Sequence, residues 1–169
     1  MSKITVSITP NQLTESQIAT MWQIYQKYYQ YTQESFVART SQSTHFAFYH
    51  DGEELVGFTG LRLNESQIGG KPHAFIYFGQ TVLEKAYRGR SLLQATGTKL
   101  VLKYARFLLT GKVFWWCDAL TYRSYLAFAR SVSEYYPSRH NPLPPQIREV
   151  FDHLGETYYA DTYQRATCT

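Results

Sequence analysis

Apolar and polar positions change period several times along the chain, and each change marks an element. In KITVSIT, Ile4, Val6 and Ile8 alternate with Thr5 and Ser7, which predicts a half-buried strand closed by Pro10. Thr14-Glu15-Ser16-Gln17 supplies a helix start, because the Thr14 side chain can accept an amide bond and Gln17 can return one. Ile18, Met21, Trp22, Tyr25 and Tyr28 then recur at helical spacing and predict an amphipathic helix reaching Tyr29, its ring-rich stripe turned to the core. Residues 31–43 leave room for a short helix around Phe36 or an ordered loop. HFAFYH and ELVGFTGLRL flank Asp51-Gly52, a pair that accepts the left-handed dihedrals of a tight turn, and so read as a hairpin. Gly69-Gly70 signals a second turn, and HAFIYFGQTVL beyond it has the extended-chain formers of a long strand.

In the second half, Leu93, Leu100, Val101, Tyr104 and Leu108 place an apolar stripe on a helix from Arg90 to Leu109, with Gly111 as its stop. VFWWC is a compact apolar strand between helices, which predicts a central place in the sheet. Tyr122 to Tyr135 reads as another helix, with Tyr125, Phe128, Ala129 and Val132 inward. Pro137, Pro142, Pro144 and Pro145 mark a proline-rich connection. A short helix from Gln146 to Leu154 follows, ended by Gly155, and then a terminal strand within ETYYADTY. Strands that alternate with helices favour a mixed α/β layer over a helical bundle. A chain of 169 residues suits a single domain over 1–169, and no internal repeat divides it.

Composition narrows the chemistry. With 15 Tyr, 10 Phe and 3 Trp against 2 Met, the core is built from rings. Cys117 and Cys168 give neither a disulfide framework nor a metal cluster, and the five histidines lack ligand spacing, so no metal is expected. No run approaches the length of a membrane span and the first residues lack the apolar core of a secretory signal, so a cytoplasmic protein without membrane partners is the expectation. The net charge of +4 is unevenly spread: Lys85, Arg88, Arg90, Lys99, Lys103, Arg106 and Lys112 follow Glu84 with no further acid among them. Such a stretch attracts a phosphorylated cofactor, a nucleic acid or an acidic protein.

The most informative junction is FGQTVLEKAYRGRSLLQATGTKL, a long strand leading through a basic turn into a helix. Amides at a helix start lack internal partners and can bind phosphate oxygens. Arg88 and Arg90 add charge there, and Gly89 permits a close backbone turn. A coenzyme A pyrophosphate would use all three features; an ordinary charged helix start is the other reading of the same residues.

This order of elements, with the segment R88-G-R-S-L-L93, resembles the Gcn5-related N-acetyltransferase superfamily over most of the chain. Arg88 matches the first position of that family's Q/R-x-x-G-x-G/A signature, Ser91 stands where Gly is expected, and Leu93 stands where Gly or Ala is expected. The resemblance implies an α/β fold with a mixed, mostly antiparallel sheet flanked by helices and splayed between its fourth and fifth strands. It implies acetyl-CoA or another acyl-CoA as donor, its pantetheine arm paired with backbone at Val82 and Leu83. Its pyrophosphate would lie on Arg88, Gly89, Arg90, Ser91, Leu92 and Leu93. The activity implied is acyl transfer to an amine on a small molecule or a peptide, with no specific nucleic acid as partner.

The catalytic residues follow from the chemistry and the resemblance together. The acceptor nitrogen must be neutral before it attacks, and the departing thiolate needs a proton. Asp118, directly after VFWWC, can orient the amine or relay its proton through water; it can equally cap the following helix. Glu84 can help deprotonate the acceptor or serve as an exposed loop carboxylate. Many members of the family place a Tyr acid on the helix after the fifth strand; Phe128 falls at that position here, leaving Tyr125 or Tyr122 from an earlier turn. Cys117 reads as core, since direct transfer needs no nucleophilic thiol. Leu93 and Phe128 also motivate a rival reading, a domain of this fold that binds or assembles without catalysis, and the basic segment motivates a nucleic-acid module. The family commonly ends with two more strands, whereas one strand-like run follows Gly155, which points to missing residues, an irregular last strand or a neighbour's strand in a homodimer.

Overall fold

The computed structural model describes residues 3–118, 122–130, 132–138 and 140–168. In chain order they form β1 (Thr5–Pro10), α1 (Glu15–Tyr25), α2 (Gln33–Thr40), β2 (His45–Asp51), β3 (Glu54–Ile68) and β4 (Lys71–Leu83). After a 3-10 turn at Lys85–Tyr87 come α3 (Leu92–Lys103), α4 (Phe107–Thr110), β5 (Lys112–Trp116), α5 (Tyr122–Ala129) and α6 (Pro145–Tyr158). The strands make one five-stranded sheet in the order β1-β2-β3-β4-β5. β1 pairs with β2 and β2 with β3 in antiparallel fashion, and β5 joins β4 in parallel, so the sheet is mixed and mostly antiparallel, flanked by helices as expected. Two compact units contain these elements, one of Met1–Glu65 with Ala74–Asp118 and one of Ser66–His73 with Ala119–Thr169. Among the described residues no helix is long and apolar enough to cross a membrane.

Local chemistry sets the ends of several elements. Thr14 and Gln17 form the reciprocal cap that starts α1, at 3.2 Å for Gln17 N–H to Thr14 Oγ1 and 2.9 Å for the return bond. The first hairpin turns on Gly52-Glu53, with Asp51 already paired to Glu54; Gly52 supplies the left-handed φ of +61°. Gly69 and Gly70, at φ +57° and +74°, make the second turn.

In the first unit the sheet is covered on two faces. Phe46, Phe48, Phe58 and Val82 pack under α1 and α2 against Met21, Ile24, Tyr25 and Phe36, all buried. On the other face Thr96 of α3 meets Tyr49, and a Cβ at Gly97 would overlap the indole of Trp115, so glycine lets α3 lie close over β5. Parity along β4 changes near its end. Arg62 shares a face with Phe58 by strand alternation and lies over Tyr77, yet Val82, five residues on, also packs with Phe58. An odd spacing on one face requires an extra residue between Tyr77 and Val82, and at Gly79 a Cβ would press within 2.7 Å of the Tyr77 ring. β5 ends at Trp116 beside Tyr77, with ring centroids 4.4 Å apart, whereas β4 continues to Leu83. β4 thus extends beyond the end of β5, in the region where the resemblance implies a splay.

Four expectations are corrected. VFWWC does not become a central strand: β5 is last in the sheet order, and its apolar run reflects rings on both faces, Trp115 near Phe78 and Phe114 and Trp116 on Phe75 and Tyr77. The helix expected over Arg90–Leu109 breaks at residues 104–106, where the amides of Phe107, Leu108 and Leu109 donate to the carbonyls of Tyr104, Ala105 and Arg106 in i to i+3 bonds that tighten the turn. Leu108, expected inward, is 58% exposed as a result. The helix expected over Tyr122–Tyr135 ends at Ala129; Thr121 and the side chain of Phe128 lie outside the described residues.

The second unit supplies the fourth correction. Gly155 does not end a helix; α6 runs through it to Tyr158, because the Tyr163 ring packs where a Cβ would stand. ETYYADTY therefore forms the end of α6 and a set of turns in place of a strand. Tyr163 donates to Asp152 Oδ1 at 2.6 Å, Arg165 pairs with Glu156, and Arg148 reaches the carbonyls of Arg165 and Ala166, tying the last turns to α6.

Candidate active site

The end of β4 presents backbone groups alternately to β3 and to the opening left by β5. The Glu84 amide donates to Val56 O at 2.9 Å, and the Val82 carbonyl also faces β3, so near that a Cβ at Gly57 would lie 2.6 Å from it. Alternation then turns the polar groups of Thr81 and Leu83 toward the opening. Val82 fills the core with its side chain, 3% exposed. Of the two strand-end residues named from the sequence, Leu83 is the one whose carbonyl faces out.

Side chains from the end of α1 fasten this strand end. Tyr29 donates to Thr81 O at 2.9 Å, Tyr28 donates to Glu84 Oε2 at 2.7 Å and accepts the Lys85 amide at 3.1 Å, and Lys27 pairs with Glu84 Oε1 at 2.5 Å. The Lys27 ammonium and the Tyr28 hydroxyl hold the Glu84 carboxyl below its ordinary range, with Arg88 nearby adding to the effect. Burial raises the Tyr29 phenol, opposed by Arg88. Tyr25 is raised by burial and faces Gln80, whose carboxamide makes no hydrogen bond of standard geometry.

The turn into α3 is shaped by two left-handed residues, Gly89 at φ +76° and Ser91 at φ +55°. A Cβ at Gly89 would meet nothing within 4 Å. Ser91 occupies the cap position of the twelve-residue α3 without its side chain capping, so the first amides of that helix have no side-chain acceptor from it. Leu92 is buried and Leu93 half-buried. Arg88 is turned back: its Nε donates to Leu83 O at 3.0 Å and its guanidinium lies over the Tyr28 ring at 4.3 Å. Arg90 lies over Tyr87 at 4.7 Å, and Tyr87 donates to Asp51 at 2.9 Å. An uncapped helix start, open space over Gly89 and two guanidinium groups form a donor set that fits a diphosphate.

At the end of β5, exposed Asp118 accepts the Tyr77 hydroxyl at 2.9 Å. Burial, then the charge and hydrogen bond of Asp118, push the Tyr77 phenol up to about 12, while Arg62 lies 3.9 Å over its ring. The Cys117 thiol is pushed up to about 11 by burial and by Asp118, which keeps it a protonated thiol near neutral pH. In the second unit Tyr125 donates to Pro137 O at 2.9 Å and stacks with Tyr122, their centroids 6.4 Å apart. Thus Leu83, Glu84, Asp118 and Arg88 through Leu93 belong to one unit and Tyr122 and Tyr125 to the other. Tyr29, Tyr77 and Arg62 were not singled out by the sequence; each reads there as an ordinary ring or strand residue, and only strand pairing reveals what it faces.

No protein family model matches the sequence, and no curated protein matches it. Solved structures match its fold. A ribosomal-protein-alanine N-acetyltransferase from Brucella melitensis superposes with a TM-score of 0.56 at 10% identity, covering 83% of this chain and 98% of that one. An aminoglycoside 6'-N-acetyltransferase from Acinetobacter haemolyticus gives 0.53 at 12% identity, over 82% and 97%. A Trypanosoma brucei acetyltransferase gives 0.51 at 16% identity, over 84% and 99%. With its parallel β4–β5 pair and this likeness, the chain has the fold of the Gcn5-related N-acetyltransferase superfamily.

Proposed function

We propose that the chain transfers an acetyl or other acyl group from coenzyme A to an amine of a small molecule or peptide. The observation that carries this reading is the junction at residues 81–93, where an open strand edge leads into an uncapped helix start bearing two arginines. In this reading the Leu83 backbone, with Val82 beside it, receives the pantetheine arm. Arg88, Gly89, Arg90, Ser91, Leu92 and Leu93 hold the diphosphate, the arginines by charge and the others by backbone amides. The bound donor would supply a thioester carbonyl open to attack.

The chain's own groups handle protons. Asp118, an exposed carboxylate, takes the proton that the acceptor ammonium must lose, directly or through water. Glu84, paired with Lys27 and bonded by Tyr28, holds the strand end in place and leaves that proton to Asp118. As the new C–N bond forms and the C–S bond breaks, the departing thiolate takes up a proton equivalent to the one the amine gives up.

A thermal-shift titration with acetyl-CoA, beside an adenine nucleotide without the pantetheine arm, tests the reading. Selective binding to the native state raises the melting temperature. Arg88→Ala with Arg90→Ala is expected to reduce the shift while the unliganded melting temperature stays within the ordinary range for surface changes. A folded wild-type protein that ignores acetyl-CoA would leave the binding-only reading in its place.

A further inference from the structure

The open edge of β4 is already occupied by the protein's own donors. Both carbonyls that alternation turns toward the opening are taken, Thr81 O by the Tyr29 hydroxyl at 2.9 Å and Leu83 O by Arg88 Nε at 3.0 Å. These are the acceptors an incoming amide-bearing chain would need, because a pantetheine arm adds to a strand edge only through that edge's amides and carbonyls. The Arg88 cap is a built contact. Its guanidinium also covers the Tyr28 ring, and Tyr28 is fixed in turn by Glu84 and the Lys85 amide.

We infer that Arg88 determines donor specificity, as a cap on the β4 edge that a donor carrying a diphosphate displaces and a bare pantetheine thioester does not, while Tyr29 caps the same edge against either donor. This rests on the acyl-CoA reading. The argument is an exchange of partners. A pantetheine amide that takes Leu83 O leaves Arg88 without its hydrogen bond, and an arm with nothing more to offer must bear that loss. Coenzyme A brings a diphosphate to the α3 start, five to eight residues from Leu83 along the chain, and a guanidinium released from Leu83 has a stronger acceptor there. Arg88 thus has two alternative partners, one in the free protein and one in the complex. Tyr29 has only the first, since its hydroxyl sits at Thr81 on the arm's side of the junction.

The two caps therefore separate in an experiment. Binding of coenzyme A and of pantetheine is measured by calorimetry on wild type, Arg88→Ala and Tyr29→Phe, each checked for an unchanged melting profile. Wild type is expected to bind coenzyme A far more tightly than pantetheine. Arg88→Ala is expected to strengthen pantetheine by about tenfold, the worth of one charge-assisted hydrogen bond, and to weaken coenzyme A only by the excess of the lost diphosphate contact over the lost cap. Tyr29→Phe is expected to strengthen both ligands by a few-fold, a signature that a merely structural tyrosine would not give. If Arg88→Ala weakens coenzyme A and leaves pantetheine unchanged or weaker, Arg88 is a phosphate ligand alone and the cap is wrong, while the acyl-CoA reading stands. If wild type binds neither ligand, the acyl-CoA reading itself fails and this inference with it.

Discussion

A buried hydroxyl cluster shows how single residues bind the sheet to its helix. Tyr49, Thr59 and Thr96 are each 0% exposed, and the Tyr49 hydroxyl lies 3.0 Å from both threonine hydroxyls. Thr96 also donates to Leu92 O at 2.9 Å, and Thr81 reaches Thr59 at 3.3 Å. The chain from β2 through β3 to α3 thus satisfies polar groups that burial would otherwise penalise. Burial raises the Tyr49 phenol, so it stays a neutral donor. Tyr49→Phe keeps the ring and removes one partner from each of two threonine hydroxyls, leaving Thr96 its bond to Leu92 O and Thr59 its bond from Thr81; a loss of about 0.5–1.5 kcal/mol in urea unfolding is expected. An unchanged midpoint would mean that the threonines find other partners.

At the scale of elements, the clearest sequence signals were those with their own local chemistry. The Thr14–Gln17 cap, the Gly69-Gly70 turn and the alternation of β1 depend on neighbours within a few residues, and they form where the pattern puts them. The misreadings depend on distant partners. An apolar run such as VFWWC records that faces are covered and says nothing about edges, so β5 takes the end of the order. Gly155 reads as a stop until Tyr163 arrives to fill the space over it. The candidate site divides in the same way: the basic turn into α3 was visible, whereas Tyr29 and the direction of each β4 carbonyl follow only from strand pairing.

The Lys27–Glu84–Tyr28 fastening of α1 to β4 belongs to this scale and is testable by pH. The Glu84 pKa is depressed in the folded chain, so its stabilising contribution is present above the unfolded carboxylate value and is lost as pH falls through the folded one. Melting temperatures of wild type and Glu84→Gln should therefore converge as pH falls from about 6 toward 3, with wild type higher only at the upper end. A constant difference across that range would show that the charge of Glu84 has no part in the fastening.

For the whole molecule, the division into two units has an energetic side. The buried apolar side chains of the first unit include Phe36, Phe46, Phe58, Phe75, Leu61 and Ile76, each 0% exposed. Among the described residues of the second unit, Ile147 and Val150 are the buried hydrophobic side chains, 9% and 6% exposed. The described residues of that unit bury little apolar surface to set against the entropy of ordering α6 and the turns after it. Local stability should therefore be lower there than in the sheet. The chain carries its own reporters, because Trp22, Trp115 and Trp116 all belong to the first unit, while α5 and α6 contribute helical signal from the second. In a urea titration, part of the far-ultraviolet helical signal is expected to fall before tryptophan fluorescence changes. Coincident curves would instead mean that the sheet and the α5–α6 unit fold as one cooperative body, and that the small second core draws its stability from the first.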